Sequence, residues 1–182
     1  MKIISFPRSG QHLIERFLRF YHKENNISYS YCEYYKHCGQ IPCVDNSIFQ
    51  KNHDWHLKLK INENEKYIVL YRSNFRKQLD SFYMHNKNKS KLLYNSEINE
   101  YFYFLENQKK YYNGFVKKWI DNSNKKILKI DYEKLVVDPE CNLILIINHI
   151  FEEINKKSIL DFLNIEKITP RHKKVKIVKL FV

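Results

Sequence analysis

Glycine is nearly missing from this chain, with three in 182 residues. The phosphate-binding spacing G-x-x-x-x-G-K-[ST] of ATP and GTP binders therefore occurs nowhere in it, and ordinary nucleoside triphosphatase chemistry is disfavoured. Long apolar runs are missing too: none approaches the ~18 residues that cross a bilayer. The opening Met1-Lys-Ile-Ile-Ser-Phe-Pro7 is too short in apolar residues for a secretory signal, which points to a cytoplasmic protein. Cysteine is limited to Cys32, Cys38, Cys43 and Cys141, without a C-x-x-C pair. Reduced thiols are expected rather than a disulfide framework. A zinc site built on Cys32, His37, Cys38 and Cys43 would lack the paired spacing of structural zinc sites, so buried thiols are the simpler expectation. Acid is the scarcer charge, 20 Asp and Glu against 32 Lys and Arg, and the net +12 favours an anionic partner. Nucleic acid, acidic polysaccharide, anionic lipid and a charged nucleotide all fit that charge, as does a solvated basic surface.

What is present is apolar enough to fold. A hydrophobic fraction of 43%, with 15% aromatic, excludes wholesale disorder, and the length suits one domain over residues 1–182. Ile3 to Phe6 is a short apolar run that stops at Pro7, the pattern of a buried strand. From Gln11, Leu13, Ile14, Phe17, Leu18 and Tyr21 recur at helical spacing. Tyr67 to Tyr71 reads as a second buried strand, followed by a helix that Ser73 or Asn74 caps and that carries Leu79, Phe82 and Tyr83. Residues 86–91, Asn-Lys-Asn-Lys-Ser-Lys, read as an exposed connection and a candidate lid. Residues 97–122 hold the spacing of a long helix, residues 126–131 form a third strand, and Asp138-Pro139-Glu140 opens a further helix. Residues 47–51 can add a strand. Strands alternating with helices predict a three-layer α/β/α fold around a mainly parallel sheet, with its ligand beyond the carboxyl ends of the strands.

The chemistry concentrates at the first strand-to-helix junction, Ser5-Phe-Pro-Arg-Ser-Gly-Gln-His12. Backbone N–H groups and the helix dipole converge there on an anion. Gly10 permits close approach, Ser9 and Gln11 add neutral donors, and Arg8 brings fixed positive charge.

At this point the sequence resembles the sulfotransferases, whose loop after the first strand reads approximately Y/F-P-K/R-S-G-T-x; here it is Phe6-Pro7-Arg8-Ser9-Gly10-Gln11-His12. Three further segments follow in the family's order. Gln50-Lys51-Asn52-His53 is similar to the K-T/S-H segment. Arg72-Ser-Asn-Phe-Arg-Lys-Gln-Leu-Asp-Ser81-Phe-Tyr is similar to R-x-P-x-x-x-x-x-S-x-Y, with one more residue before the serine and no proline. Tyr132-Glu-Lys-Leu-Val-Val-Asp-Pro139 is similar to Y-E-D-L-x-x-D-P.

The resemblance implies a P-loop NTPase-like sulfotransferase fold and, as donor, 3′-phosphoadenosine-5′-phosphosulfate (PAPS), with adenosine 3′,5′-bisphosphate (PAP) as product. It implies that Arg8, Ser9, Gly10, Gln11 and His12 cradle the donor, that Arg72 and Ser81 hold its 3′-phosphate, and that Tyr132 lies near the adenine. His53 would be the general base, with Arg8 and Lys51 stabilising the transferring group. A neutral imidazole with an ordinary value near 6.5 suits that role. The family's R-K-G loop has only Arg171, Lys173 and Lys174 as counterparts, without the glycine. The scheme implies no metal.

Two other classes of reading stay open. One is a small kinase-like enzyme that uses a nucleoside triphosphate and depends on magnesium. The other is a non-enzymatic binder of nucleic acid or anionic polymer, which would show salt-sensitive binding independent of the donor. The acceptor is expected to be a hydroxyl or amine of a carbohydrate or small polar metabolite, in a pocket shaped by residues 23–50 and 85–97. No heptad or sticky helix speaks to oligomeric state.

Overall fold

The computed structural model describes residues 1–33, 43, 44, 46–89, 97–166 and 168, with residues 84, 86–89 and 97–102 by backbone alone. Five strands, β1 (Lys2–Ser5), β2 (Tyr31–Glu33), β3 (Phe49–Asn52), β4 (Tyr67–Tyr71) and β5 (Ile127–Asp131), form one sheet in the order β2-β3-β1-β4-β5. Every pairing is parallel. The chain leaves β1 for β2, two places to one side, and later crosses to β4 on the other side. The order thus reverses at β1, and the crevice above its carboxyl end is where such sheets bind ligands.

Strand alternation divides the core into two layers of side chains. Ile3, Phe49, Ile68, Leu70 and Ile130 pack against α1 (Gln11–Glu24), α5 (Pro139–Ile150) and α6 (Lys156–Ile165). Ile4, Phe6, Tyr67, Val69 and Ile127 meet Phe115 and Trp119 on the opposite face. Those two come from α3 (Glu97–Phe115) and the π-helical turn Val116–Ile120 that ends it. The predicted three-layer α/β fold is the one observed.

The helix ends follow their sequence signals. Asn74 Oδ1 accepts from the Lys77 amide at 2.9 Å, so Asn74 rather than Ser73 opens α2 (Phe75–Lys89). Asp138 accepts from the Cys141 amide ahead of Pro139, the first residue of α5. The connection expected at 86–91 is corrected in part: α2 stays helical through Lys89, and residues 90 and 91 lie outside the described residues. The strand expected over residues 47–51 runs from Phe49 to Asn52. β2, α6 and the short α4 (Tyr132–Val137) were not anticipated. No helix among the described residues is long and apolar enough to cross a membrane.

Candidate active site at the β1 switch point

The β1–α1 loop is built around two left-handed residues, Arg8 at φ 65° and Gly10 at φ 82°. Gly10 is the N-cap of α1 and offers no side chain to the first-turn amides, which leaves the positive helix end to an external anion. Close packing fixes Gly10 as well: a Cβ there would stand 2.4 Å from Cδ2 of Tyr132. Ser9 is 2% exposed, and among the described residues its Oγ has no hydrogen-bond partner, an unmet polar group on the wall of the cradle. Gln78 from α2 holds the loop from below, its Nε2 donating to the Pro7 carbonyl at 2.6 Å. Arg8 is exposed and its Nε donates to Ser81 Oγ at 3.3 Å, so the structure brings Ser81 to the loop arginine. Gly10→Ala should cost about 1–3 kcal/mol of stability through left-handed strain, more if Tyr132 cannot yield. Urea unfolding measures that loss, and PAP titration of the same variant should show weakened binding.

On the β4–β5 side, Arg72 and Tyr132 stand together. The Arg72 guanidinium lies 4.9 Å above the Tyr132 ring, and that ring rests on Gly10. Arg72 Nε donates to Glu133 Oε1 at 2.7 Å. A guanidinium has five N–H donors, and this bond uses one. Glu133 Oε2 is buried without a hydrogen-bond partner among the described residues. Asp131 ties the two strand ends, accepting from the amides of Ser73 at 3.2 Å and Glu133 at 3.1 Å.

On the β3 side, Lys51 is buried on the face that carries Ile3, and His53, also buried, follows just past the end of β3. Glu33 pairs with Lys51 across β2 and β3, and Lys51 pairs with Ile3. His53 Nδ1 lies 2.5 Å from the Ser5 carbonyl, a contact that requires the proton on Nδ1 and leaves the basic lone pair on Nε2. Lys51 Nζ lies 2.9 Å from that Nε2 and donates to Glu33 Oε1 at 2.8 Å. Gln11 links α1 to the cluster, its Nε2 donating to Glu33 Oε1 and its Oε1 accepting from the Ser5 hydroxyl. Burial first, and then the Lys51 charge, lower the His53 pKa to about 4, against the Ser5 carbonyl and Glu33, which act to raise it. The near-neutral value expected from sequence is therefore not the value in this arrangement.

The segment after His53 is held rigidly. Asp54, at φ 49°, accepts from Trp119 Nε1 at 3.0 Å, Lys118 Nζ at 2.6 Å and the Leu59 amide at 2.9 Å, and Leu57 is left-handed as well. Tyr111 donates its hydroxyl proton to the His53 carbonyl. This frame presents Trp55, 42% exposed, with its ring 5.1 Å from His53 and stacked toward Phe82.

Of the residues expected from sequence, Arg8, Ser9, Gly10, Gln11, Ser81, Arg72 and Tyr132 surround the loop, and Lys51 and His53 join it through Ser5. His12 is exposed on the first turn of α1, close enough to His53 to disfavour its protonation. Arg171, Lys173, Lys174, His37 and Cys38 lie outside the described residues, as do residues 34–42, 45 and 90–96 of the expected acceptor region. Cys32 and Cys43 are buried, and among the described residues no three His, Cys, Asp or Glu side chains gather as a metal site. Sequence reasoning missed Glu33 and Gln78. An acid inside the Tyr31-Cys-Glu33 run was the one available signal, whereas Gln78 carries none.

No family model and no curated protein matches the chain. Among solved structures it resembles the mouse sulfotransferase SULT7A1 complexed with PAP, with a TM-score of 0.67 over 90% of this chain at 17% identity. The chain spans 62% of that protein's length. At this identity the likeness is one of architecture: the chain has the P-loop-like α/β fold of a sulfotransferase.

Proposed function

We propose that this protein transfers a sulfuryl group from PAPS to an acceptor hydroxyl. The observation that carries the reading is a juxtaposition at one switch point. A glycine-turned anion loop without a nucleotide-binding lysine has the Lys51–His53 pair on one side and Arg72 on the other. The PAP-bound sulfotransferase of the same fold supports it.

The residues present fit such a donor. Gly10 leaves room where any larger residue would meet Tyr132, and among the described residues Ser9 Oγ is buried without a partner and the Gly10 N-cap supplies no side-chain cap to α1. Bound there, PAPS supplies the sulfuryl group: the bond from sulfur to the acceptor oxygen forms as the bridging S–O bond breaks, and the electron pair leaves with PAP. Arg8, Ser9, Gln11, His12 and the loop amides would hold the 5′ end. Arg72, with Ser81 beside the loop, would hold the 3′-phosphate, and Tyr132 would flank the base. Lys51 would offset charge on the transferring and departing oxygens, and His53 Nε2 would take the acceptor proton. Trp55, exposed next to His53, would form a wall of the acceptor site, where a carbohydrate or small polar ring can pack.

Calorimetric titration without magnesium tests the donor. PAP should bind at least tenfold more tightly than adenosine 5′-monophosphate or ATP, and Arg72→Ala should lose about 10- to 100-fold, the range of a hydrogen bond to a charged group. PAP binding no better than the monophosphate sinks the reading. Magnesium-dependent ATP binding would then favour the kinase-like alternative, and salt-sensitive polymer binding the non-enzymatic one.

A further inference from the structure

Glu33 lies outside the segments that single out Lys51 and His53, yet it governs where Lys51 sits. Lys51 is 1% exposed and Glu33 5%, so both charges are inside the protein. Attraction in such a pair barely offsets the loss of hydration, and an apolar pair of similar size would join β2 to β3 at least as well. A role for the charges themselves is the reason to look further.

The Lys51 ammonium bridges the Glu33 carboxylate and His53 Nε2 at 2.8 and 2.9 Å. Since Nδ1 faces the Ser5 carbonyl, Nε2 is the only basic position on the ring, and Lys51 covers it. In this arrangement the base cannot accept a proton.

We propose that Glu33 is a positioning residue that holds the Lys51 ammonium over the His53 lone pair until a sulfuryl group on the loop draws it off, so that the base is released only when the donor is in place. The inference rests on the sulfotransferase reading. Anionic oxygens are stronger acceptors for an ammonium than a neutral imidazole is. No proton changes hands in this step: Lys51 stays charged, His53 stays neutral, and one hydrogen bond moves. Glu33 is the fixed end because Gln11, the first residue of α1, donates to the same Oε1 and takes the Ser5 hydroxyl on its own Oε1. The anchor is thereby joined to the helix start on which the donor would sit.

Among the described residues, the charged and titratable groups that act on His53 are Lys51 on β3, Glu33 on β2 and His12 on α1. Asp54 follows it in sequence with both carboxylate oxygens engaged, and Tyr111 of α3 donates to its carbonyl.

The experiment is an NMR pH titration of the His53 ring in the full chain, with PAP and with PAPS, and no acceptor. In the wild type PAP should leave the midpoint depressed, and PAPS should raise it by roughly one pH unit or more. The double variant Lys51→Met/Glu33→Gln reports the direct effect of the sulfuryl charge, and leaves no buried charge behind if Glu33→Gln alone fails to fold. A wild-type response no larger than that of the double variant overturns the proposal. So does a full response in Glu33→Gln, which should instead respond like the double variant. Calorimetry separates the two levels: PAP binding without a His53 response to PAPS removes this inference alone, whereas no PAP binding removes the function with it.

Discussion

Replacing His53 with alanine should lower kcat by about 10²- to 10⁴-fold, the usual worth of a positioned general base, with PAP affinity essentially unchanged. The split follows from geometry. His53 touches Ser5, Lys51 and Trp55, whereas the anion loop is held by Gly10, Gln78 and Tyr132. Turnover of the wild type should fall on the acid side as the imidazole takes a proton, and the variant should lack that limb. A variant within tenfold of wild type would show that His53 is not the base. Stability should carry the same signature. The folded value of about 4 lies below the ordinary 6.5, so the unfolded chain binds the proton first. Stability from this group is complete above about pH 6.5 and is lost as pH falls toward 4. Urea unfolding of wild type and His53→Ala across that window should show a steeper loss in the wild type, since His22 and His149, also lowered by burial, contribute to both.

The second large effect concerns the buried pair. Lys51→Met removes the ammonium that donates to Glu33, a carboxylate 5% exposed, and should cost about 3–5 kcal/mol in urea unfolding. Adding Glu33→Gln should restore most of that loss, because the double variant removes the buried carboxylate together with the ammonium. Equal stability of the single and double variants would mean that Glu33 is protonated or hydrated without Lys51. Turnover separates stability from chemistry here: the restored double variant should remain severely impaired if Lys51 has the proposed role of offsetting charge on the transferring group.

The elements that could be read from sequence are those whose side chains repeat a period. Ile3–Phe6, Tyr67–Tyr71 and the Leu13 to Tyr21 stripe each bury a continuous apolar face, and each became the expected element. β2 escaped because it is three residues long and ends on a charge, Glu33, whose burial makes sense only beside Lys51 eighteen positions later. α4 escaped because it is a bare six residues beginning where β5 stops, with β-branched Val136 and Val137 arguing for extended chain. Within the site, local motifs supplied Gly10, Arg72, Lys51 and His53. What they left out was partnership across the sheet: Gln78 beneath Pro7, Glu33 behind Lys51 and Glu133 on Arg72. The lowered basicity of His53 belongs to the same class, since it comes from burial and from a lysine whose direction no motif states.

Holding Asp54 with the indole of Trp119 divides the chain's two tryptophans into different optical populations. Trp119 is fully buried and Trp55 is 42% exposed beside His53. Acrylamide should quench the red-emitting Trp55 while sparing Trp119, whose blue emission is lost only when the core opens. Ligand entry and global unfolding can thus be followed as two colours in one unlabelled sample.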